Sequence, residues 1–290
     1  MKDFITIASG DLKVTLLTPH SPFYNRGRFN HAGFVSGVSY KGVVFSAPEG
    51  YDAKRGTGGI GLCSAYFDHE PEQAAALGET YLRFGVGIAE KVEKPYLSMD
   101  GVKIEPYEIT TDVREDSVIF TSKPPKVNDY CFEELRVVKV QGDTLTIQTT
   151  FKNTGDKPIH EREYNHNFVL LGDHKTGPQY TLDLPSVKNL TIAPSCPVLE
   201  QKGSGVTWNK DITEGSFFNQ FDDIKAEKTD YYWKLSLEGT PLSMLEKGDF
   251  LPEHLTVWGV AHCISSEVFV EFSVKPGESA SWTRQWVFSA

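Results

Sequence analysis

Residues 134–151 read ELRVVKVQGDTLTIQTTF, and this stretch sets the fold class. From position 144 apolar and polar residues alternate, with Leu145, Ile147 and Phe151 on one side and hydroxyl or amide side chains on the other. A period of two is that of a β-strand with one buried face. The Gln-Gly-Asp of 141–143 between two such runs is typical of a hairpin turn. The stretch therefore predicts two adjacent antiparallel strands.

The same pattern recurs at both ends of the chain. Residues 3–17 alternate, which indicates folded strands rather than a signal peptide. Residues 268–274 precede a Lys-Pro-Gly-Glu turn signal at 275–278, and the alternating aromatic run 282–288 follows. The only helical candidate is 70–78, with a proline near its start and a glycine as its stop. We therefore predict an all-β protein, a large antiparallel β-sandwich with very little helix.

Composition excludes several classes of protein. The chain has 290 residues, 39% hydrophobic and 12% aromatic, so it is not disordered, and we expect a single domain over 1–290 because neither a linker nor a repeat interrupts it. It has a net charge of −10 and no basic run, which argues against nucleic acid as a partner. No stretch approaches the roughly 18 apolar residues of a membrane span. Four scattered cysteines without a CxxC motif predict reduced thiols and a cytoplasmic location.

One predicted strand lacks the apolar face that a strand packed against a core usually has. Residues 160–171 read HEREYNHNFVLL, and polar side chains fill both faces of the run up to 167. Such groups are costly to bury unless something satisfies them, so we expect one face to meet solvent in a cleft. Tyr164 and Phe168 flank His166 on one face, an arrangement that suits the apolar C–H faces and hydroxyl rims of sugars. For His166 alone, a solvated outer strand is the simpler interpretation.

A carboxylate lies at the start of an apolar strand. Glu267 follows two serines and shares a strand face with Phe269 and Glu271. Apolar neighbours can shift the pKa of such a group and make it a base. The alternative is an ordinary acid at the surface end of a strand, and the residue pattern by itself favours it.

Two arginines surround Gly27. Arg26 and Arg28 can donate to sugar hydroxyls or to a phosphate, or they can brace loops by pairing with carboxylates. The pattern leaves both alternatives open. The glycine-rich run 56–61 lacks the GK[ST] ending of a phosphate loop and is not taken as one.

With these residues the chain resembles the galactose mutarotase-like superfamily, which includes the aldose 1-epimerases. Residues 163–168 (EYNHNF) resemble the family's Asn-His-x-x-Phe strand, with the phenylalanine one residue earlier, and 151–159 resemble the segment before it. Residues 263–270, followed by the Pro-Gly-Glu turn of 275–278, resemble the segment that carries the family's glutamate base. The family's His-Gly-Gly segment has no counterpart here, which leaves the sugar open: hexose or pentose, free or phosphorylated.

The resemblance implies a β-supersandwich that interconverts the α and β anomers of a sugar. It implies Glu267 as the base and His166 as the acid, without metal or cofactor. The side chains that it implies for substrate binding are Arg28, Tyr164, Asn165 and Phe168.

Three alternatives remain beside this interpretation. A carbohydrate-binding protein without turnover can share the fold. A glycoside hydrolase or lyase would pair Glu267 with Glu161 or Glu163, although no motif supports the pairing. A cupin-like metal enzyme using His160 and His166 is excluded, because six strand residues separate the two by about 20 Å. The oligomeric state stays open.

Overall fold

A computed structural model of the chain describes residues 3–19, 21, 23, 27–50, 58–93 and 102–290. The elements in the first half are β1 (Phe4–Ser9), β2 (Leu12–Leu17), β3 (Val35–Tyr40), β4 (Val43–Val44), β5 (Leu62–Tyr66), α1 (Glu70–Ala74), β6 (Thr80–Arg83), β7 (Gly87–Glu90), β8 (Ile104–Glu105), β9 (Ile109–Val113) and β10 (Ser117–Ser122). Those in the second half are β11 (Phe132–Gln141), β12 (Thr144–Asn153), β13 (Ile159–Asn167), β14 (Tyr180–Asp183), β15 (Leu199–Lys202), β16 (Gly205–Trp208), β17 (Phe217–Phe221), β18 (Trp233–Leu237), β19 (Ser243–Gly248), β20 (Leu255–Val260), β21 (Cys263–Val274) and β22 (Ser279–Ser289).

Two large antiparallel sheets and one small one contain these strands. The nine-stranded sheet runs β1-β2-β3-β5-β13-β21-β20-β17, with β4 beside β3. The ten-stranded sheet runs β15-β16-β14-β18-β19-β22-β12-β11-β10-β9, and β6-β7-β8 form the third. The main apolar core includes residues from both large sheets. The predicted all-β antiparallel sandwich is therefore confirmed, whereas the single-domain assignment over 1–290 stays a prediction.

The sequence-predicted hairpin is present. β11 pairs with β12 from Phe132 opposite Asn153 to Gln141 opposite Thr144, and Leu145 and Ile147 are buried. The C-terminal strands behave differently from a hairpin: β21 lies in the nine-stranded sheet and β22 in the ten-stranded sheet. The turn at 275–278 therefore carries the chain from one layer to the other.

The helix is shorter than the sequence predicted. α1 covers Glu70–Ala74 rather than 70–78, because Ala75 already has an extended backbone. Its carbonyl accepts a hydrogen bond from Lys91 Nζ at 2.7 Å, and Gly78 N donates to the Lys91 carbonyl. No helix in the described ranges is long and apolar enough to cross a membrane.

A charged cluster lies between the two large sheets. Arg284 contacts Glu163 and Glu246, each at 2.7 Å, and Arg136 lies 3.9 Å from Glu134 and 3.8 Å from Glu163. All five side chains are buried. Burial raises the pKa of Glu134 and of Glu246, and the neighbouring guanidinium groups partly offset this effect. We call this set the interlayer cluster; it satisfies polar groups that would be costly to bury alone.

Candidate active site

A cavity of about 520 Å³ opens on the face of the nine-stranded sheet that lies opposite the interlayer cluster. Adjacent strands β13, β21 and β20 form its floor. Register places Tyr164 opposite Phe269 and Thr256 opposite Glu267, so all four side chains reach the same face. The volume is in the range of small-molecule binding sites.

An imidazole and a carboxylate meet on this floor. His166 Nε2 lies 3.0 Å from Glu267 Oε1, and both side chains are at least nine-tenths buried. Thr256 Oγ1 donates to Glu267 Oε2 at 3.1 Å. Ser265 Oγ is 2.6 Å from His166 Nδ1 and 3.2 Å from Glu267 Oε1. The pair is thus held on both sides by hydroxyl groups.

Burial adjusts the protonation of both partners. It raises the pKa of Glu267 to about 7, with Arg28 and the two hydroxyl donors acting in the opposite direction. Burial also lowers the pKa of His166 well below its usual value, and the charge of Arg28 adds to the effect. Near neutral pH the carboxyl group therefore exchanges a proton easily, while the imidazole stays neutral. Such tuning is what acid–base chemistry near pH 7 requires.

Aromatic rings form the walls and brace the imidazole. Tyr164 and Phe269 stack with ring centroids 4.7 Å apart and planes at 10°. Phe168 stacks beneath His166 at 4.0 Å and 12°. The Trp258 ring meets the His166 ring edge-on at 5.5 Å. Apolar rings around a few polar groups provide the mixed surface that a sugar ring needs.

Arg28 reaches the cavity from the segment between β2 and β3. Its Nη1 donates to Glu49 Oε1 at 2.9 Å, and both side chains line the cavity. Its guanidinium also lies over the Phe29 ring, 4.7 Å from the centroid. Arg28 therefore pairs with a carboxylate, as one of the two sequence-based alternatives predicted, and this pair lies in the wall of the cavity. Arg26 lies outside the described residues.

The structure brings together four of the six sequence-predicted site residues. Glu267, His166, Arg28 and Tyr164 line the cavity. Phe168 is fully buried and supports His166 from behind instead of forming a platform for the ligand.

Asn165 requires a correction. It belongs to the odd-numbered face of β13, which turns away from the cavity, and its Nδ2 donates to Asn167 Oδ1 at 2.7 Å. Because neighbouring strand residues point to opposite faces, Asn165 cannot share a ligand with His166. Glu161 and Glu163 lie on the same buried face, so neither forms a carboxylate pair with Glu267 across the cavity.

Sequence reasoning missed several lining residues. Thr256 and Trp258 come from β20, and Glu49 and Phe67 come from segments beside the sheet. The alternation of Thr256 and Trp258 in one strand was a usable signal, but the same alternation describes many half-buried strands. Within the described ranges, no group of three His, Cys, Asp or Glu side chains is arranged to hold a metal. All four cysteines are free.

Comparisons with known proteins show what the fold is. No protein-family model and no curated protein matches the chain. A galactose mutarotase related enzyme of Lactobacillus acidophilus superposes with a TM-score of 0.64 at 11% identity, over 99% of this chain and 97% of the other. A galactose mutarotase-like protein of Clostridium acetobutylicum gives 0.62 at 10% identity, over 98% and 94%. An aldose epimerase homologue of C. elegans gives 0.55 at 13% identity, over 99% and 98%.

The chain therefore has the galactose mutarotase-like fold over nearly its whole length. The predicted resemblance of the chain to the galactose mutarotase-like proteins is confirmed at the level of the fold. Identities of 10–13% carry no activity from those proteins to this one.

Proposed function

We propose that this protein is an aldose 1-epimerase, a cofactor-independent isomerase that interconverts the α and β anomers of a sugar. The contact between His166 Nε2 and Glu267 Oε1 at the floor of an aromatic cavity carries the proposal. Anomer exchange needs one base and one acid at the two oxygens attached to the anomeric carbon. His166 and Glu267 are 3.0 Å apart and suit this task, because O1 and O5 of the sugar are bonded to the same carbon and therefore also lie close together.

The reaction follows from the protonation of the pair. Glu267 takes the proton of the anomeric hydroxyl while His166 gives its Nε2 proton to the ring oxygen, and the C1–O5 bond breaks. Rotation about the C1–C2 bond presents the other face of the aldehyde. Ring closure then uses the same groups in exchanged roles.

The remaining cavity residues bind the sugar. Arg28 donates to ring hydroxyls while Glu49 holds its guanidinium in place. The stacked Tyr164 and Phe269 rings offer an apolar surface to the C–H face of the sugar. We retain Arg28 and Tyr164 as substrate-binding residues and leave out Asn165.

Anomer exchange measured by NMR magnetisation transfer tests the proposal. Wild type is run with a panel of aldoses and their phosphates, beside Glu267→Gln and His166→Ala. We expect accelerated exchange for at least one sugar and its loss in both variants, with sugar binding by Glu267→Gln largely retained. Glu271→Gln is the matched control, because Glu271 lies on the same strand face but is exposed and outside this cavity.

Other results would identify another function. Line broadening of a sugar without accelerated exchange would indicate a carbohydrate-binding protein. Release of new reducing ends from an oligosaccharide would indicate a hydrolase or lyase. No effect on any sugar would refute the proposed substrate class.

A further inference from the structure

The Ser265 hydroxyl closes a ring of hydrogen-bonding groups with the acid–base pair. Ser265 is fully buried two residues before Glu267, on the same face of β21. Its Oγ lies 2.6 Å from His166 Nδ1 and 3.2 Å from Glu267 Oε1. Since His166 Nε2 also contacts Glu267 Oε1 at 3.0 Å, the two ends of the imidazole are joined through one carboxylate oxygen and one hydroxyl.

The hydroxyl has no spare hydrogen-bonding capacity. A serine hydroxyl has one hydrogen and two lone pairs. The backbone N–H of Asn167 donates to Ser265 Oγ at 3.0 Å and occupies one lone pair. One hydrogen and one lone pair remain for His166 and Glu267. Only two arrangements satisfy all three contacts: Ser265 donates to His166 Nδ1 and accepts from a protonated Glu267, or it donates to Glu267 and accepts from the Nδ1–H of His166.

This ring addresses a difficulty in the acid step. A neutral imidazole that gives up its Nε2 proton must gain one at Nδ1, because the alternative is an imidazolate anion. Starting instead from an imidazolium requires a charged ring at a fully buried position. The lowered pKa of His166 reflects that cost.

We propose that Ser265 relays a proton from Glu267 to His166 Nδ1 during ring opening, so that His166 acts as an acid without becoming an imidazolium. This inference rests on the proposed function. Glu267 gains the proton of O1 and passes a proton to Ser265 Oγ, which passes its own to His166 Nδ1. His166 Nε2 gives its proton to O5 as the C1–O5 bond breaks. Ring closure reverses every transfer, and no proton is exchanged with solvent.

The protein is returned to the same charge state after ring opening. Glu267 is again a carboxylate, Ser265 a hydroxyl and His166 a neutral imidazole, now protonated at Nδ1. The other charged groups that act on the pair are Arg28 and Glu49, and Tyr164 acts in turn on Arg28. None of them has to change its protonation. Ser265 acts through its two neighbours and is a positioning residue that also carries the proton.

The pH profile of turnover distinguishes the relay from a structural role. The relay uses ionised Glu267 with neutral His166, so the wild-type exchange rate should rise with pH and level off above about 7. Without the hydroxyl, the reaction needs ionised Glu267 with an imidazolium, a form that disappears as pH rises. We expect Ser265→Ala to lose ten- to a hundredfold in rate at pH 8 and to slow further at higher pH. Ser265→Thr, which keeps the hydroxyl, should retain the wild-type profile.

The tautomer of His166 tests the same inference without any sugar. Long-range ¹H–¹⁵N spectra of the histidine-labelled protein report which ring nitrogen carries the hydrogen. We expect the His166 ring to change from one neutral tautomer to the other as Glu267 is protonated, with this exchange lost in Ser265→Ala. Ser266→Ala is the matched control, because the neighbouring serine points to the other face of β21.

The two experiments separate the two proposals. A tautomer exchange that depends on Ser265, in a protein that accelerates no sugar, would support the proton path through Ser265 but refute the epimerase assignment and with it the use of that path in ring opening. An active enzyme in which Ser265→Ala keeps the wild-type pH profile would overturn the relay. A single His166 tautomer across the pH range in wild type would overturn it as well.

Discussion

Arg284 of β22 donates from Nη2 and Nε to the same carboxylate oxygen of Glu163 on β13, at 2.7 and 3.1 Å. Its Nη1 donates to Glu246 Oε1 at 2.7 Å. Because Glu163 precedes His166 by three residues on the opposite face of β13, this contact fixes the strand that carries the acid. The interlayer cluster thus supports the active site from behind.

Replacing Arg284 with methionine should destabilise the fold strongly. The change leaves the Glu163 and Glu246 carboxyl groups buried without their main cationic partner. Removing one partner of a buried ion pair lowers the free energy of unfolding by about 3–5 kcal/mol. Denaturant unfolding of Arg284→Met should show a loss of this size in the free energy of unfolding.

Arg114→Met is the matched control for this prediction. Arg114 pairs with Asp112 at 3.0 Å, but both side chains are exposed. Exposed pairs contribute little to stability, so this variant should unfold close to wild type. Equal stabilities for the two variants would show that the interlayer cluster does not hold the layers together.

Local patterns predicted the strands, and non-local pairings decided how they assemble. Alternation in 144–151 and 282–288 depends only on neighbouring residues, so both strands were predictable. The turn at 275–278 has the same residues whether it closes a hairpin or joins two layers. Only the pairing of β21 with β13 and of β22 with β12 settles that choice.

The polar residues of β13 likewise show that the local sequence does not reveal contacts with distant parts of the chain. Sequence reasoning placed one polar face in solvent, whereas both faces are largely buried around His166. The partners of the odd-numbered face, such as Glu246 and Arg284, lie about a hundred residues away in the chain and in the other layer. Arg284 alternates with Trp282 and Trp286 on a buried face of β22. An arginine at such a position indicates that buried carboxylates lie next to it.

Gly59→Ala should reduce turnover by displacing the ring that supports His166. A Cβ at position 59 would collide with the Phe168 ring, which stacks 4.0 Å from the imidazole. Misplacing a catalytic group by about 1 Å can cost roughly a hundredfold in rate. We expect anomer exchange to slow by ten- to a hundredfold.

Gly37→Ala is the control for this steric argument. A Cβ at position 37 meets Thr15 at 3.6 Å, an ordinary van der Waals distance, so the β2–β3 pair can accept it. The variant should exchange anomers at the wild-type rate. If Gly59→Ala were equally active, Phe168 would not be needed to hold His166.

Phe67→Ala should weaken sugar binding without unfolding the protein. The Phe67 ring is 38% exposed at the cavity rim and meets the Phe269 ring edge-on at 5.6 Å. Arg162 lies over it at 4.6 Å and holds it in place. Aromatic contacts of this kind contribute about 0.5–1.5 kcal/mol, so the Kd for sugar, read by titration, should rise two- to tenfold.

Phe4→Ala is the matched control, because Phe4 is also an exposed phenylalanine. Phe4 is 42% exposed on β1, a strand that does not line the cavity. Its removal should leave the Kd for sugar unchanged. A loss of affinity in Phe4→Ala as large as in Phe67→Ala would assign the effect to general destabilisation.

The buried Glu267 carboxyl should make stability fall as pH rises. Its pKa is about 7 in the folded protein and 4.5 when unperturbed, so between these values the folded state binds more protons than the unfolded state. The free energy of unfolding therefore declines across this window, by about 3 kcal/mol from this group. Glu267→Gln has no such group, so its stability relative to wild type should increase from pH 4 to pH 8. Urea titrations at both pH values measure this, and the exposed Glu271→Gln should show no such trend. A pH-independent difference between Glu267→Gln and wild type would mean that the carboxyl is already ionised well below pH 7.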